Sequence, residues 1–484
     1  MFANIRTILK DIGSILVILG VLMYTLIGVA FIFNELYVVK FVVFIAIAVL
    51  ALGLSLMHYF RDAKESEYKH AMVCAALVWL IVPAFSSLLL ILIEDMSPLD
   101  SFFEAMSGWT GTGLTMIAHP SSLTYTMQFW RSLMQWVGGV GVIVLMLSIL
   151  ARPGTGAYSL YKAEAREEKL KPSIISTVRM TWWIYILLTF IGILLFFYAG
   201  MSPWEAINHA MTAIGTGGFA VTDRSMATYN NFLIELAVIP IMILGAIPFL
   251  VHYRVLKGKL NSYFKDTQCK AFVVVLTFLL VLLFAANYSI YGDATNCLRY
   301  SSFQLISGLT CTGFQTTSVR DWSADGLIIM CISMIIGGGM GSTAGGVKLI
   351  RAVIAFKWIT WSLRRNFLPP RALISVKLGD RILERGEIVK IVSESSLIIS
   401  LWCIFLLVGI FVLSVTVGPQ FPLEAVMFEV ASAQGNVGLS IGITNAGLSY
   451  IGKIMLILNM WIGRLEIIPV LMMLRALVKG FHPL

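Results

Sequence analysis

Residues 306–318 read ISGLTCTGFQTTS, a run of threonine, glycine and one cysteine between two long apolar stretches. It carries no charge, makes a poor strand, and has too many glycines for a helix. Its meaning follows from three related segments of the same chain. Set in register, MSGWTGTGLT (106–115), MTAIGTGGFA (211–220), ISGLTCTGFQ (306–315) and ASAQGNVGLS (431–440) share one glycine: Gly113, Gly218, Gly313 and Gly438. Serine or threonine fills the second column, at Ser107, Thr212, Ser307 and Ser432. The next apolar run supplies an independent check. Gly138, Gly245, Gly337 and Gly463 lie 25, 27, 24 and 25 residues beyond the aligned glycine. A fourfold internal repeat of this kind governs how every single motif is read.

The bulk properties say which solvent surrounds the repeats. Of 484 residues, 58% are hydrophobic and 13% charged, with mean hydropathy +0.87. A soluble domain of that length cannot hide so much apolar surface, so the bilayer is its solvent. The net charge of +9 falls in particular loops and forms no nucleic-acid face. The six cysteines are scattered without a CxxC pair, which argues against a disulfide framework or a metal site. The apolar run at 12–33 lacks a small-residue cleavage site and reads as a first membrane span.

Ten apolar runs approach spanning length, at 12–33, 38–58, 71–93, 128–150, 180–199, 232–252, 270–289, 327–347, 392–417 and 446–475. Four others, at 98–109, 203–214, 296–309 and 422–434, are about half that length and must enter and turn back. SPLDSFFEAM, SPWEAINHAM and FPLEAVMFEVA start three of these with a proline, suited to a first helical turn. Segments 151–179, 252–270 and 348–390 hold six, five and ten Lys or Arg, whereas 95–130 and 418–450 hold none. The positive-inside rule places both termini and these linkers in the cytoplasm, with the half-length segments entering from outside. The expected architecture is all-α integral membrane. A two-helix unit (1–69) precedes four span–pore-helix–span repeats, 70–151, 152–256, 257–362 and 363–484, in pseudo-fourfold symmetry around a central ion pore.

Such a unit has a definite chemistry. Non-helical backbone at membrane depth must be buried or line a watery cavity. Four glycine turns around one axis place carbonyl oxygens where a dehydrated cation can exchange its water shell for them. Each half-helix also aims its partially negative C-terminal end at that axis. The candidate ligands are the backbones of Thr110, Gly111, Thr112 and Gly113; Gly215, Thr216, Gly217 and Gly218; Thr310, Cys311, Thr312 and Gly313; and Gly435, Asn436, Val437 and Gly438. Glycines also serve plain helix packing in membranes. Four in register behind half-length helices point instead to a shared turn.

GGGMGSTAGGVK (337–348) interrupts an apolar run with Gly337, Gly338, Gly339, Gly341, Gly345 and Gly346, making it the best candidate for a mobile element. No strand precedes it and no acidic residue follows at the right distance, so it is no dinucleotide fingerprint.

These four turns, with QWVGGVGVIVL (135–145), GGGMGSTAGGVK and MWIGRLEIIPVL (460–471), resemble the Trk/Ktr/HKT superfamily, specifically its TrkH/TrkG type. The similarity covers the whole chain, including the extra N-terminal helix pair. It implies potassium uptake across the plasma membrane by a homodimer with one pore per chain. It also implies control by a TrkA-like cytoplasmic nucleotide-binding regulator, with no cofactor bound by this chain. Glycine at Gly113 goes, in that family, with preference for potassium over sodium. The resemblance assigns 337–348 to a loop that obstructs the pore below the filter. Met340 and Gln434 are bulkier than the pattern leads one to expect.

Arg464, 26 residues past Gly438, sits about one span deep, and an intramembrane arginine is a functional candidate; snorkelling is the plain alternative. It is read as facing the pore and setting the gate beside 337–348. Lys348 could share that work, although a lysine at the cytoplasmic end needs no special role. AEAREEKLK (163–171) reads as a solvated cytoplasmic helix, with regulator docking as the alternative. RRNFLPPR (364–371) has the same two readings, and its paired prolines suit a kinked linker; His119 and His209 read as ordinary polar residues near the outer mouth. The rival reading is a symporter coupling potassium to sodium or protons. Such proteins commonly use inverted repeats, whereas all four repeats here share one topology. HExxH and paired intramembrane aspartates are absent, so no enzyme is expected.

Overall fold

The computed structural model describes residues 2–64, 66–150, 174–367, 376–378, 381–383 and 385–480. The segment 163–171 and the last four residues of RRNFLPPR lie outside the described residues. Helices Phe2–Ile32 and Leu36–Tyr59 pack as an N-terminal pair. Their contact is close because Gly13 and Gly53 face each other: a Cβ on either would fall 2.9 or 2.8 Å from the other's carbonyl oxygen.

Four outer helices follow, Tyr68–Glu94, Ile174–Ala199, Thr267–Tyr291 and Arg385–Val417, each leading into a half-helix. The half-helices span Pro98–Thr110, Pro203–Ile214, Ala294–Leu309 and Leu423–Gln434. Local chemistry starts them. Ser97 and Ser202 accept from the third helical N–H with proline in the first turn, and Asp293 accepts from Asn296 N. Pro422 stands at the fourth N-cap with no side-chain hydrogen bond. Six helices among the described residues are long and apolar enough to cross a membrane by length and composition, or eight if each bent pair counts as one span.

Two of the inner helices correct the expectation of continuous second spans, and a third breaks at the glycine run, as its sequence led one to expect. Only the first, Tyr125–Leu150, is unbroken. The run at 232–252 divides into Phe232–Ala246 and Phe249–Leu256, bent by 104°. Pro248 causes the break: it forces Ile247 into extended backbone (ψ 143°) and ends the helix before it. The run at 327–347 ends as helix at Ile336, becomes the glycine loop, and resumes as Leu349–Asn366. The run at 446–475 divides into Tyr450–Arg464 and Ile468–Lys479, bent by 109°. There Glu466 and Ile467 both have positive φ (54° and 71°), a costly conformation for a β-branched residue. Hydropathy could not register the breaks at Ile247 and at Leu465–Ile467, because both fall inside a continuous apolar run.

One further departure from pure helix lies in the fourth linker, where Val376–Leu378 pairs antiparallel with Arg381–Leu383. The core is otherwise helical, and the exposed side chains of the outer helices, such as Phe190, Val274, Phe278 and Phe411, form an apolar flank.

Candidate functional site

Each half-helix ends in the same Schellman closure. Gly111, Thr216, Cys311 and Asn436 take left-handed backbone, with φ of 65°, 48°, 56° and 53°. The next residue then reaches back to the second column: Thr112 N to Ser107 O, Gly217 N to Thr212 O, Thr312 N to Ser307 O and Val437 N to Ser432 O, all 2.9 Å. The Ser107 and Ser432 hydroxyls also accept from Gly113 N and Gly438 N at 3.0 Å. The remaining two columns differ, since Ser307 donates to Phe314 O at 2.8 Å and Thr212 to His209 O at 3.3 Å.

The four aligned glycines close a ring. All have positive φ: 90°, 75°, 83° and 96° at Gly113, Gly218, Gly313 and Gly438. A Cβ at Gly113 would fall 2.2 Å from Gly217 O, at Gly218 2.0 Å from Thr312 O, at Gly313 2.0 Å from Val437 O, and at Gly438 2.3 Å from Thr112 O. Every glycine thus abuts the carbonyl just before its counterpart in the following repeat, and the fourth returns to the first. The sixteen positions selected from the sequence lie on these four turns, whose aligned glycines follow one another in a closed circle. Side chains secure the seams: Asn436 donates to Thr112 Oγ1 at 2.9 Å, and Gln135 to Gly217 O at 2.6 Å.

The second set of aligned glycines is only partly equivalent. Cβ atoms at Gly138, Gly245 and Gly463 would meet the last carbonyls of half-helices, Trp109 O (2.1 Å), Ile214 O (2.7 Å) and Gln434 O (1.9 Å). Gly337 instead faces Gly345 O at 2.3 Å, inside its own loop. Its spacing matched for a different reason: it is the C-cap that ends the third inner helix (φ 68°).

Loop 337–348 docks against the inner end of the ring. Gly339 N donates to Ala246 O at 2.9 Å and Thr343 N to Gly245 O at 3.2 Å, two carbonyls released by the Pro248 break. The Thr343 hydroxyl bonds Ile214 O at 2.9 Å and meets the Thr216 hydroxyl at 3.1 Å. On the other side Gly346 N donates to Gly435 O at 3.0 Å. Arg464, buried, donates to Thr343 O at 2.9 Å and to Gly138 O at 3.1 Å. A Cβ at Gly111 would lie 3.6 Å from its Nη2, so the guanidinium sits at the inner mouth and does not snorkel. Lys348 is also buried, not a surface lysine, and donates to Ala344 O within the loop. Arg351, which opens the following helix, pairs with Glu466 at the break in the fourth inner helix.

Of the two bulky departures, the Gln434 side chain turns away from the ring, donating to Trp402 O at 2.7 Å and accepting from Asn459 at 2.8 Å, while Met340 is buried and its backbone N–H donates to Gln268 at 2.7 Å. At the outer mouth His119 lies 3.4 Å from Asp223, whose carboxyl a Ser121 backbone N–H, aided by His119, holds below its ordinary range.

Sequence reading missed Arg131. It is 1% exposed, bonds the buried Glu104 at 2.8 Å, donates to Ala220 O at 3.1 Å in the next repeat, and stacks on Phe219. It lies near the start of the apolar run at 128–150, where its charge was passed over, while its partner Glu104 sits on the half-length segment 98–109. Replacing Arg131 with methionine strands a buried carboxylate, an expected loss of about 3 kcal/mol. A lowered Tm of the purified chain in detergent checks it, and an unchanged Tm counts against it.

Comparison with known proteins agrees with this geometry. An uncharacterized cation transporter of Methanocaldococcus jannaschii is 38% identical over 418 residues, 86% of this chain and 84% of that protein. The Trk system potassium uptake protein TrkH of Escherichia coli is 30% identical over 438 residues, 87% and 89% of the two chains. The crystal structure of the potassium transporter TrkH from Vibrio parahaemolyticus superposes with a TM-score of 0.86 at 27% identity, covering 97% of this chain and 98% of that one. The family of cation transport proteins named TrkH matches residues 37–479, and this multi-pass membrane protein belongs to it.

Proposed function

We propose that the chain takes up potassium through a channel-like filter built from the four glycine turns, with loop 337–348 and Arg464 as its gate. The closed ring of glycine-to-carbonyl contacts carries this reading. A glycine at every ring position lets carbonyl oxygens approach the axis without Cβ interference, which suits replacement of a cation's water shell. The Trk-type relatives support potassium as the ion. Thr343 and Arg464 below the ring support a closed gate, since the loop there holds bonds to repeats two and four and, through Arg464, repeat one.

The same reading includes a homodimer in the plasma membrane with both termini cytoplasmic. A TrkA-like nucleotide-binding regulator acts from that side, where Lys and Arg concentrate. The test is rubidium uptake into reconstituted vesicles with potassium or sodium competing. Wild type should favour potassium, and Gly113→Ser should weaken that preference several-fold, because its side chain would press on Gly217 O. Equal passage of sodium in both chains defeats the proposal.

A further inference from the structure

Behind the filter turns lies a second ring, which the glycine register did not reveal. Nine residues before each aligned glycine stands a polar side chain on the half-helix: Glu104, His209, Gln304 and Glu429. All four are buried at 0% exposure, where a polar group is kept only if its bonds are made. Each meets the backbone N–H three residues beyond its glycine. Glu104 accepts from Met116 N at 2.9 Å, His209 Nε2 from Val221 N at 3.4 Å, and Glu429 from Ile441 N at 3.2 Å. Gln304 accepts from Thr316 N at 2.9 Å in the amide orientation that satisfies both its ends.

The filter strand of every repeat is therefore clamped twice to its own half-helix. The inner clamp is the Schellman turn, made of backbone alone. The outer clamp depends on one side chain. Its four members differ in charge but share an acceptor at the same place, which is why an alignment by residue type passes over them. The two carboxylates also differ in company. Arg131 lies against Glu104, whereas no ion pair among the described residues includes Glu429. Glu429 takes the Ser440 hydroxyl at 2.7 Å and Thr444 N at 3.0 Å, so both its oxygens are used to fix one loop.

We propose that these four side chains are positioning residues that hold the filter open to the size of its ion, and that Glu429 does so for the fourth quarter. This rests on the reading of the ring as a potassium filter. A cage that discriminates against a smaller ion must resist contracting around it, and the outer clamps supply that resistance from outside the ion path. Loosening one lets its carbonyls relax toward sodium while leaving every filter residue in place.

The test uses the full chain in vesicles and reads a ratio, the sodium concentration over the potassium concentration that halves rubidium uptake. Glu429→Ala should lower this ratio about tenfold, and Glu429→Gln should keep most of it, as an amide oxygen serves at Gln304. A wild-type ratio in Glu429→Ala, even with slower uptake, reduces Glu429 to a structural role and overturns the inference. Should that chain fail to reach the membrane, Gln304→Leu is judged by the same ratio, and an unchanged value overturns it equally. A wild-type chain that does not discriminate would instead defeat the potassium filter itself.

Discussion

Arg464→Ala should raise cation leak through the regulator-free chain about a hundredfold. The magnitude comes from electrostatics: a unit charge about 4 Å from a passing monovalent cation opposes it by ~4 kcal/mol at an effective dielectric of about 20. Arg464 is buried at the inner mouth, with a Cβ at Gly111 only 3.6 Å from its Nη2. Alanine removes that repulsion together with the two bonds to Thr343 O and Gly138 O. The loop keeps its bonds to Gly245, Ala246 and Gly435, so part of the barrier survives and the full electrostatic figure is not reached. Rubidium efflux from vesicles containing only this chain is the measurement. Leak equal to wild type would mean that the loop alone closes the path.

Gly313→Ala should reduce potassium-selective uptake about a hundredfold, because strain and collision act together. Alanine at φ 83° costs roughly 1–2 kcal/mol in backbone strain, which a stable protein tolerates. The collision is harder to relieve. The new Cβ would lie 2.0 Å from Val437 O and 3.1 Å from Gly438 Cα, both backbone atoms of the neighbouring turn. Val437 must shift, and Gly438 in turn abuts Thr112 O, so the displacement passes to the next quarter. Gly258, also at positive φ (83°) but with open space around it, is the matching control. Gly258→Ala should leave uptake and selectivity unchanged; equal losses in both would point to general destabilisation.

The four turns were legible because backbone geometry constrained residue type directly. A left-handed residue pressed against a carbonyl must be glycine, and four of them fell in register. The breaks at Ile247, the 337–348 loop and Leu465–Ile467 were less accessible. Pro248, the glycine run and Pro469 stand at or just after them, but Glu466 with Ile467 offers no local signal for left-handed backbone. Gly337 matched the spacing of Gly138, Gly245 and Gly463 while packing on its own loop, so an aligned residue need not keep an aligned contact. The outer clamps escaped notice for the opposite reason, because Glu104, His209, Gln304 and Glu429 keep one contact while changing side chain. Arg464 was found by depth along its helix, but its two partners come from repeats one and three, which no local reading joins.

The seam where Gly438 meets Thr112, and where Asn436 bonds the Thr112 hydroxyl across 324 residues, also bears on biogenesis. At ribosomal speeds of about 10 residues per second, the first quarter waits roughly half a minute for its last neighbour. Over that interval an unfinished arc must survive inside lipid, where each orphaned amide is penalised by several kcal/mol. Because every hairpin ties its amides to its own short helix, the translocon can release the quarters one by one, and closure of the circle is left for the end.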